Sequence, residues 1–370
     1  MRQVAGRAGA VLRIDLKAIR YNYRLLQGLL GKAKCGAAVK ADAYGLGAIP
    51  VVQALYAEEC RDFFVAHLEE GIALRQHLPA DAAIYIMHGA PVGYDAELLE
   101  HNCIPVLNSL PQILAWRDLA RQQQRRLPAI VQFDTGMARM GLSDAEVGLW
   151  QDDAGLTDGI DLLYAMSHLV SAEDQSSPVN HQQLQRFNDL RERIPACQGL
   201  PASLANSSGI FLGSDFHFKL ARPGAALYGV APVAGQANPM RAVAHLQGSI
   251  IQTREIPAGT GVGYGASWRS SQTSRIATVA VGYADGWMRS LSNRGIAHIA
   301  GQAVPMVGNV SMDTITLDVS TVAAEHLLPG TLVDLISADN TVDQVAARAG
   351  TIGYEILTSL GARYERTYSD

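Results

Sequence analysis

Residues 35–40 read CGAAVK, and the same texture of short apolar runs returns at a regular beat. FFVA follows at 63–66, IYIMH at 84–88, IPVL at 104–107, AIVQFD at 129–134, DLLYAMSH at 161–168, ASLAN at 202–206 and FKLARP at 218–223. Runs that are apolar throughout, not alternating, are what strands need in a parallel sheet covered on both faces. Between them, 69–76, 110–124 and 178–193 read as helices. Ahead of them Ile19, Tyr23, Leu26 and Leu30 recur at helical spacing, which predicts a helix over 16–30. Eight such units in about 200 residues predict an α/β fold, a (β/α)8 barrel; the rival, a doubly wound open sheet, is disfavoured by the count of eight.

After about residue 237 the texture changes. Strand-like runs at 247–255, 275–282, 296–299, 303–307 and 314–318 are separated by Gly-, Pro- and Asn-containing turns, and helical pattern returns only at 341–349 and 353–360. This predicts a mostly β C-terminal domain over 238–370, beside a barrel over 15–237. The run VLRI at 11–14 has no place in a barrel, so the N-terminal strand of residues 1–14 is expected to join the β domain.

Composition narrows the function. Of the 370 residues 48% are apolar and 18% charged, and 30 Lys+Arg stand against 35 Asp+Glu for a net charge of −5. With no basic run, a nucleic-acid partner is not expected. No apolar run approaches the roughly 18 residues of a membrane span, so no membrane is expected either. The opening MRQVAGRAGAVLRIDL lacks the continuous apolar core of a secretory signal. Cys35, Cys60, Cys103 and Cys197 lie far apart, with no metal-ligand spacing. They read as buried thiols of a cytoplasmic protein, a disulfide being the alternative, and no metal is expected. Glycine is in surplus, 35 residues against about 26 at its usual roughly 7%, which points to tight turns or close approach to a ligand.

Barrel chemistry sits at the carboxyl ends of the strands. The polar residues there are Lys40, Arg139, His168, Asn206 with Ser207, and Arg222 with Gly224. Each has an ordinary explanation alone: a lone Lys or Arg is usually a solvated rim residue, a lone His a satisfied structural donor, and Ser207 a helix N-cap. Their convergence on one mouth favours a binding site. Lys40, behind Ala37, Ala38 and Val39, emerges from an apolar setting that lowers a lysine's pKa and supplies the free amine for a Schiff base. Ser207 and the Gly224–Ala225 backbone offer a phosphate cradle. An imine-forming lysine plus a phosphate cradle suggests pyridoxal phosphate as cofactor.

Eight motifs then resemble one family. VKADAYGLG, DTGMARMG, MSH, LANSSG, ARPGAALYG, GYGASW, VGYADGW and GNVSMD stand in the order and spacing of the alanine racemases, a resemblance running from IDLKAIRYN to TIGYEIL. It implies a pyridoxal phosphate barrel with a C-terminal β domain. It also implies a cytoplasmic homodimer with shared active sites that interconverts L- and D-alanine, supplying D-alanine for peptidoglycan or catabolising it. Lys40 matches the cofactor-bearing lysine, one of two proton carriers. Tyr264 matches the carrier on the opposite face, contributed by the partner subunit; by itself it is an ordinary strand tyrosine, left bare by Gly263 and Gly265. Arg222 matches the arginine facing the pyridine nitrogen, which donates without protonating it and so weakens the ring as an electron sink. Arg139 and His168 match residues at the phenolic oxygen and the ring. Tyr44, Asn206, Ser207, Gly224, Ala225 and Tyr354 are matched to the cofactor and its phosphate. Met312, Arg139 and Tyr283 are matched to the substrate, with Arg289 at the entrance; Tyr283 and Tyr354 read equally as core residues.

Departures from the family pattern are Gln132, where a carbamylated lysine often orients the arginine, and Leu46, where His is common. Glu173 and Asn309 replace an Asp–Arg entrance pair, and Ser311 replaces a cysteine. A neutral Gln132 leaves Arg139 to a bound anion such as chloride, and the altered entrance makes a broader alanine/serine racemase the alternative substrate reading. GTGVGYG at 259–265 is not a nucleotide loop, having neither the G-x-G-x-x-G spacing nor a following helix. A non-catalytic pyridoxal phosphate carrier is disfavoured by the second domain and its GYGASW, and decarboxylases of similar architecture by the absence of their motifs.

Overall fold

The computed structural model describes residues 8–370; residues 1–7 of the expected N-terminal segment lie outside the described residues. The chain builds a (β/α)8 barrel and a mostly β second sheet. Seven parallel barrel strands pair in chain order, Ala37–Ala38, Asp62–Val65, Ala83–Ile86, Ile104–Leu107, Leu127–Gln132, Ile160–Met166 and Ala202–Ser203. An eighth, Leu220–Ala221, pairs in parallel with Lys34–Cys35 at the start of the first. Closure at the other side rests on single bonds, Lys219 N–H to Ala202 O (3.0 Å) and Arg222 N–H to Ala205 O (2.9 Å).

The inside of the ring is filled by Ala38, Phe64, Tyr85, Val106, Ile130, Met166 and Leu220, one from each of seven strands. The strand Ala202–Ser203 contributes a hydroxyl instead: Ser203 Oγ donates to Leu220 O at 2.6 Å and accepts from Arg222 Nη1 at 2.5 Å. A small polar residue here makes room for a buried guanidinium.

Several strands stop short of the carboxyl end of their apolar runs. The run 161–168 is a strand only over Ile160–Met166, 202–206 only over Ala202–Ser203, and 218–223 only over Leu220–Ala221. The run 35–40 breaks at Gly36 and stops at Ala38, so Lys40 lies outside the strand, at the head of a turn. A Cβ at Gly36 would come within 2.9 Å of Asp62 O, which is why this residue is bare. Helices form close to their expected spans, Leu16–Leu30, Leu68–Arg75, Leu110–Gln123 and Pro178–Arg193.

The first helix starts because Asp15 caps it, Oδ1 accepting from Ala18 N–H at 2.9 Å. The strand before it, Ala10–Asp15, lies in the second sheet, antiparallel to Ala244–Ile256 and parallel to Glu365–Ser369. Ala244–Ile256 is long enough to serve two further partners, Leu332–Ile336 and Ser274–Val279, with an irregularity in its ladder between Ile250 and Gln252. Helices Val342–Ala349 and Gly353–Ser359 complete this part, the second set against the turn that follows Lys40.

Asn22, fully buried on the first helix, ties the barrel to the segment leading into the second sheet. Its Nδ2 donates to Leu227 O (3.1 Å) and Arg241 O (3.0 Å), and its Oδ1 accepts from Arg241 N–H (2.8 Å). Replacing it by alanine orphans buried backbone groups at about 1–3 kcal/mol each. Asn22→Ala is therefore expected to lose roughly 3 kcal/mol of stability, read by denaturant unfolding; a loss below about 0.5 kcal/mol, the range of ordinary surface changes, would refute the clamp.

Candidate active site

Lys40 opens a turn in which Ala41, Asp42, Ala43 and Tyr44 all have positive φ, between 51° and 57°, so four non-glycine residues in succession wind left-handed. Each costs about 1–2 kcal/mol relative to the right-handed form, so the turn exists only because it is held. Glu70 Oε1 accepts from Ala41 N–H at 2.5 Å and Val39 O from Ala43 N–H at 2.9 Å. Asp42 accepts twice, its backbone O from Gly47 N–H (2.9 Å) and its Oδ1 from Ala48 N–H (2.6 Å). Gly45, at φ 80°, lies so close to Leu357 O that no side chain fits. Tyr44 is buried against Tyr228, ring centroids 4.8 Å apart, and Tyr228 donates to Ala38 O at 2.9 Å.

Around Lys40 the field is cationic. Burial lowers its pKa first, Arg139 and then Arg222 push the same way, and Glu70 opposes them. His168 is pushed down to about 3, by burial first and then by Arg222, Arg139 and Lys40, so its imidazole is neutral at ordinary pH. Arg222 is buried, with Nη2 donating to Ser167 O at 2.7 Å beside its bond to Ser203. Burial brings its pKa down to about 10, which still leaves a cation at neutral pH.

Arg139 rides on the loop after Leu127–Gln132. Asp134 Oδ1 shapes that loop by accepting from Gly136, Met137 and Ala138 N–H at 2.8, 3.0 and 3.2 Å. A small cavity here is lined by Gln132, Asp134, Thr135, Arg139, Ser167 and His168, among others. Gln132 is buried, its amide donating to Met140 O at 3.4 Å, and among the described residues Arg139 makes no side-chain hydrogen bond or ion pair.

At the phosphate end Ser207 does not cap a helix. Its Oγ reaches the segment after the last barrel strand and accepts from Gly224 N–H (2.9 Å) and Ala226 N–H (3.1 Å), while Asn206 Oδ1 caps the following turn through Gly209 N–H (2.9 Å). Ala225 opens the short turn Ala225–Tyr228, so its N–H has no acceptor inside that turn. A Cβ on Gly224 would collide with the Tyr44 hydroxyl. Tyr354 comes from the second domain, its ring 6.2 Å from that of Tyr44, and burial pushes its hydroxyl up.

The structure does not bring every candidate together. Tyr264 is 73% exposed, Met312 53% and Tyr283 43%, so none packs into this chain's own barrel mouth. They share a rigid frame instead. Asn309 Nδ2 donates to Tyr264 O at 2.8 Å, and Tyr283 and Ala284 N–H donate to Ser311 O and Met312 O at 2.9 Å each. Arg363 bonds both Asp285 (2.6 Å) and Asp313 (2.8 Å), locking the two loops. Arg289 opens a short turn in the same domain.

Sequence reasoning passed over three mouth residues. Glu70 was hidden in an ordinary helix start. His67 and His88, at the ends of the second and third strands, face each other edge-on at 4.7 Å, and burial, His67 and Lys40 hold His88 below the usual histidine range. Collecting every strand end without exception finds both.

This arrangement suits pyridoxal phosphate: a lysine shifted toward its free amine, a hydroxyl and amides converging at Gly224 where a Cβ would intrude, and a buried arginine that only donates. Fold and site together define a lysine-dependent (β/α)8-barrel enzyme with an appended β domain. Residues 14–232 match the sequence profile of the alanine racemase N-terminal domain and 243–368 that of the C-terminal domain. The chain belongs to the alanine racemase family. A catabolic alanine racemase of Mesorhizobium japonicum is 48% identical over 361 residues, covering 98% of this chain and 93% of the relative. An alanine racemase of Rhodospirillum rubrum is 48% identical over 363 residues, covering 98% and 96%. The crystal structure of the Bartonella henselae alanine racemase, with covalently bound pyridoxal phosphate, superposes at a TM-score of 0.94 with 40% identity, covering 98% of this chain and all (100%) of that one. The biosynthetic enzyme of Pseudomonas aeruginosa superposes at 0.90 with 33% identity, covering 98% and 100%.

The cradle gives a direct test. Gly224→Ala puts a methyl where the Tyr44 hydroxyl lies and is expected to weaken retention of pyridoxal phosphate about tenfold, or 1.4 kcal/mol, in equilibrium dialysis with absorbance detection. Unchanged retention would remove Gly224 from the cradle.

Proposed function

We propose that this protein interconverts L-alanine and D-alanine with pyridoxal phosphate, Lys40 and Tyr264 carrying protons at opposite faces of the α-carbon. The observation that carries the reading is Lys40 itself: a half-buried amine at a barrel mouth, fixed by a strained turn and flanked by Arg139 and Arg222. When bound, the cofactor makes the α-C–H bond of the amino acid acidic enough for a side chain to remove its proton. Lys40 serves the D-enantiomer and Tyr264 the L-enantiomer. Racemisation requires such a pair, since one base alone returns the proton to the face it left.

The other residues bind and orient. Arg222, held by Ser203 and Ser167, offers the pyridine nitrogen N–H groups and no transferable proton. Arg139 faces the phenolic oxygen, with His168, neutral, near the ring. Tyr44, Asn206, Ser207, Gly224, Ala225 and Tyr354 hold the cofactor and its phosphate. Met312 and Tyr283 meet the substrate, Arg289 stands at the entrance, and Arg139 also reaches the substrate.

The exposure of Tyr264, Met312 and Tyr283 on one rigid frame supports a homodimer in which each second domain completes the neighbour's mouth. A soluble cytoplasmic enzyme agrees with four buried free cysteines and with the lack of any described helix long and apolar enough to cross a membrane. Catabolic or biosynthetic use of D-alanine, for energy or for peptidoglycan, depends on the pathway around it.

A coupled assay for D-alanine from L-alanine, run beside the serine enantiomers, tests the activity; absence of alanine interconversion by holoenzyme would overturn it. Tyr264→Phe is expected to lower kcat/KM for L-alanine by at least about 100-fold. Mixed after co-refolding, inactive Lys40→Ala and Tyr264→Phe chains should regain about a quarter of wild-type activity, because half the dimers then hold one intact site of two. No recovery would place Tyr264 in its own chain's site.

Gln132 carries no charge to balance Arg139. Replacing chloride by a bulky organic anion at constant ionic strength is therefore expected to lower the rate several-fold. A flat response would show that Arg139 needs no anion.

A further inference from the structure

We propose that Glu70 is a positioning residue for Lys40, one carboxylate oxygen finishing its own helix while the other crosses the barrel mouth to hold the backbone immediately after the lysine. Glu70 stands in the first turn of Leu68–Arg75. Its Oε2 accepts from Ala66 N–H at 2.8 Å and His67 N–H at 3.0 Å, the reach-back that a glutamate at this helical position ordinarily makes. That duty needs only one oxygen. Oε1 accepts from Ala41 N–H at 2.5 Å, on a different strand–helix unit, 29 residues away in the chain.

The bond falls where the chain most needs one. Ala41 is the first of the residues wound left-handed, and it is exposed, so no packed side chain holds it there. Without this acceptor the turn relaxes from its entry end, and the residue displaced is Lys40. Among the described residues that act on Lys40, Glu70 supplies the negative charge, the others being Arg139 and Arg222. His88 and His168 stand close enough to feel Lys40, and His168 is neutral. Glu70 thus sets both the place of the amine and the balance of charge on it. The inference rests on Lys40 as the lysine that bears pyridoxal phosphate.

Glu70→Gln keeps the shape, removes the charge and leaves one acceptor oxygen for both duties. In the full-length holoenzyme, two readouts follow. The visible absorption of lysine-bound pyridoxal phosphate, titrated against pH, should lose its protonated form about one pH unit earlier than wild type, a tenfold drop in proton affinity. The sign follows from the charge: a carboxylate favours the protonated nitrogen, so removing it lowers that pKa. In parallel kcat for alanine should fall with little change in KM. Glu70→Gln with Ala41→Gly should regain part of that kcat, because glycine takes the left-handed conformation without steric cost, while the displaced titration stays displaced.

A titration superimposable on wild type, whatever the activity, overturns the inference. So does a double variant no better than Glu70→Gln. Should Glu70→Gln not fold, Glu70→Asp keeps the charge and shortens the reach: a lowered kcat with a wild-type titration supports the proposal, and wild-type kcat overturns it. Lys40→Ala separates the two levels. If it still shows the protonated visible band, the lysine assignment fails; if it does not, and Glu70→Gln titrates as wild type, only the role of Glu70 fails.

Discussion

The barrel mouth depends on one strained stretch, the left-handed turn from Ala41 to Tyr44. At about 1–2 kcal/mol per residue it stores roughly 4–8 kcal/mol, comparable with the whole net stability of a domain. Such strain persists only where the surroundings over-determine it. Here they do so from three directions: Glu70 and Val39 at the entry, Asp42 at the exit, and the second domain's Leu357 backbone pressed on Gly45. The turn places Lys40 at one end and Tyr44 at the other, the first beside Arg139 and Arg222 and the second against Gly224 and Tyr228.

Electrostatics follows from that placement. Lys40 shares its mouth with two guanidiniums, one of them buried, which join burial in biasing Lys40 and His168 toward their neutral forms. The amine is shifted toward neutral and the imidazole of His168 is held neutral. Gln132 adds no negative charge, so the site meets an anionic cofactor and the carboxylate of an amino acid with an excess of fixed positive charge. Arg222 remains a donor because its hydroxyl and carbonyl partners, Ser203 and Ser167, are uncharged.

The barrel was legible in the sequence because parallel strands buried on both faces leave unbroken apolar runs, and the site because chemistry collects where those runs end. The strand ends themselves were not legible. An apolar pattern continues past the last ladder bond, so the runs ending at His168, Asn206 and Pro223 outlast their strands. The turn after Lys40 was illegible for a sharper reason: left-handed backbone is normally announced by glycine or asparagine, and Ala41, Ala43 and Tyr44 announce the opposite. Glu70 was concealed by having a sufficient local role. The helix N-cap alternative for Ser207 fails because its partners, Gly224 and Ala226 N–H, lie beyond the next strand, which spacing along the chain does not reveal. Asn309, noted as a departure from the family pattern, holds the Tyr264 carbonyl, a contact that only coordinates disclose.

Ala10–Asp15 sits between Ala244–Ile256 and Glu365–Ser369, so segments some 350 residues apart in the chain are neighbours in one sheet. During synthesis the barrel sequence emerges whole before the second sheet has a single other strand. The opening strand must wait through some 230 residues for Ala244–Ile256 and through 350 for its parallel partner, at about 5–20 residues per second on the ribosome. For that interval it is an unpaired edge, the feature that most invites mispairing between chains. The five residues Glu365–Ser369 therefore act as a seal on that strand, and a nascent chain cut just short of them carries a finished barrel beside a sheet with Ala10–Asp15 as its open edge.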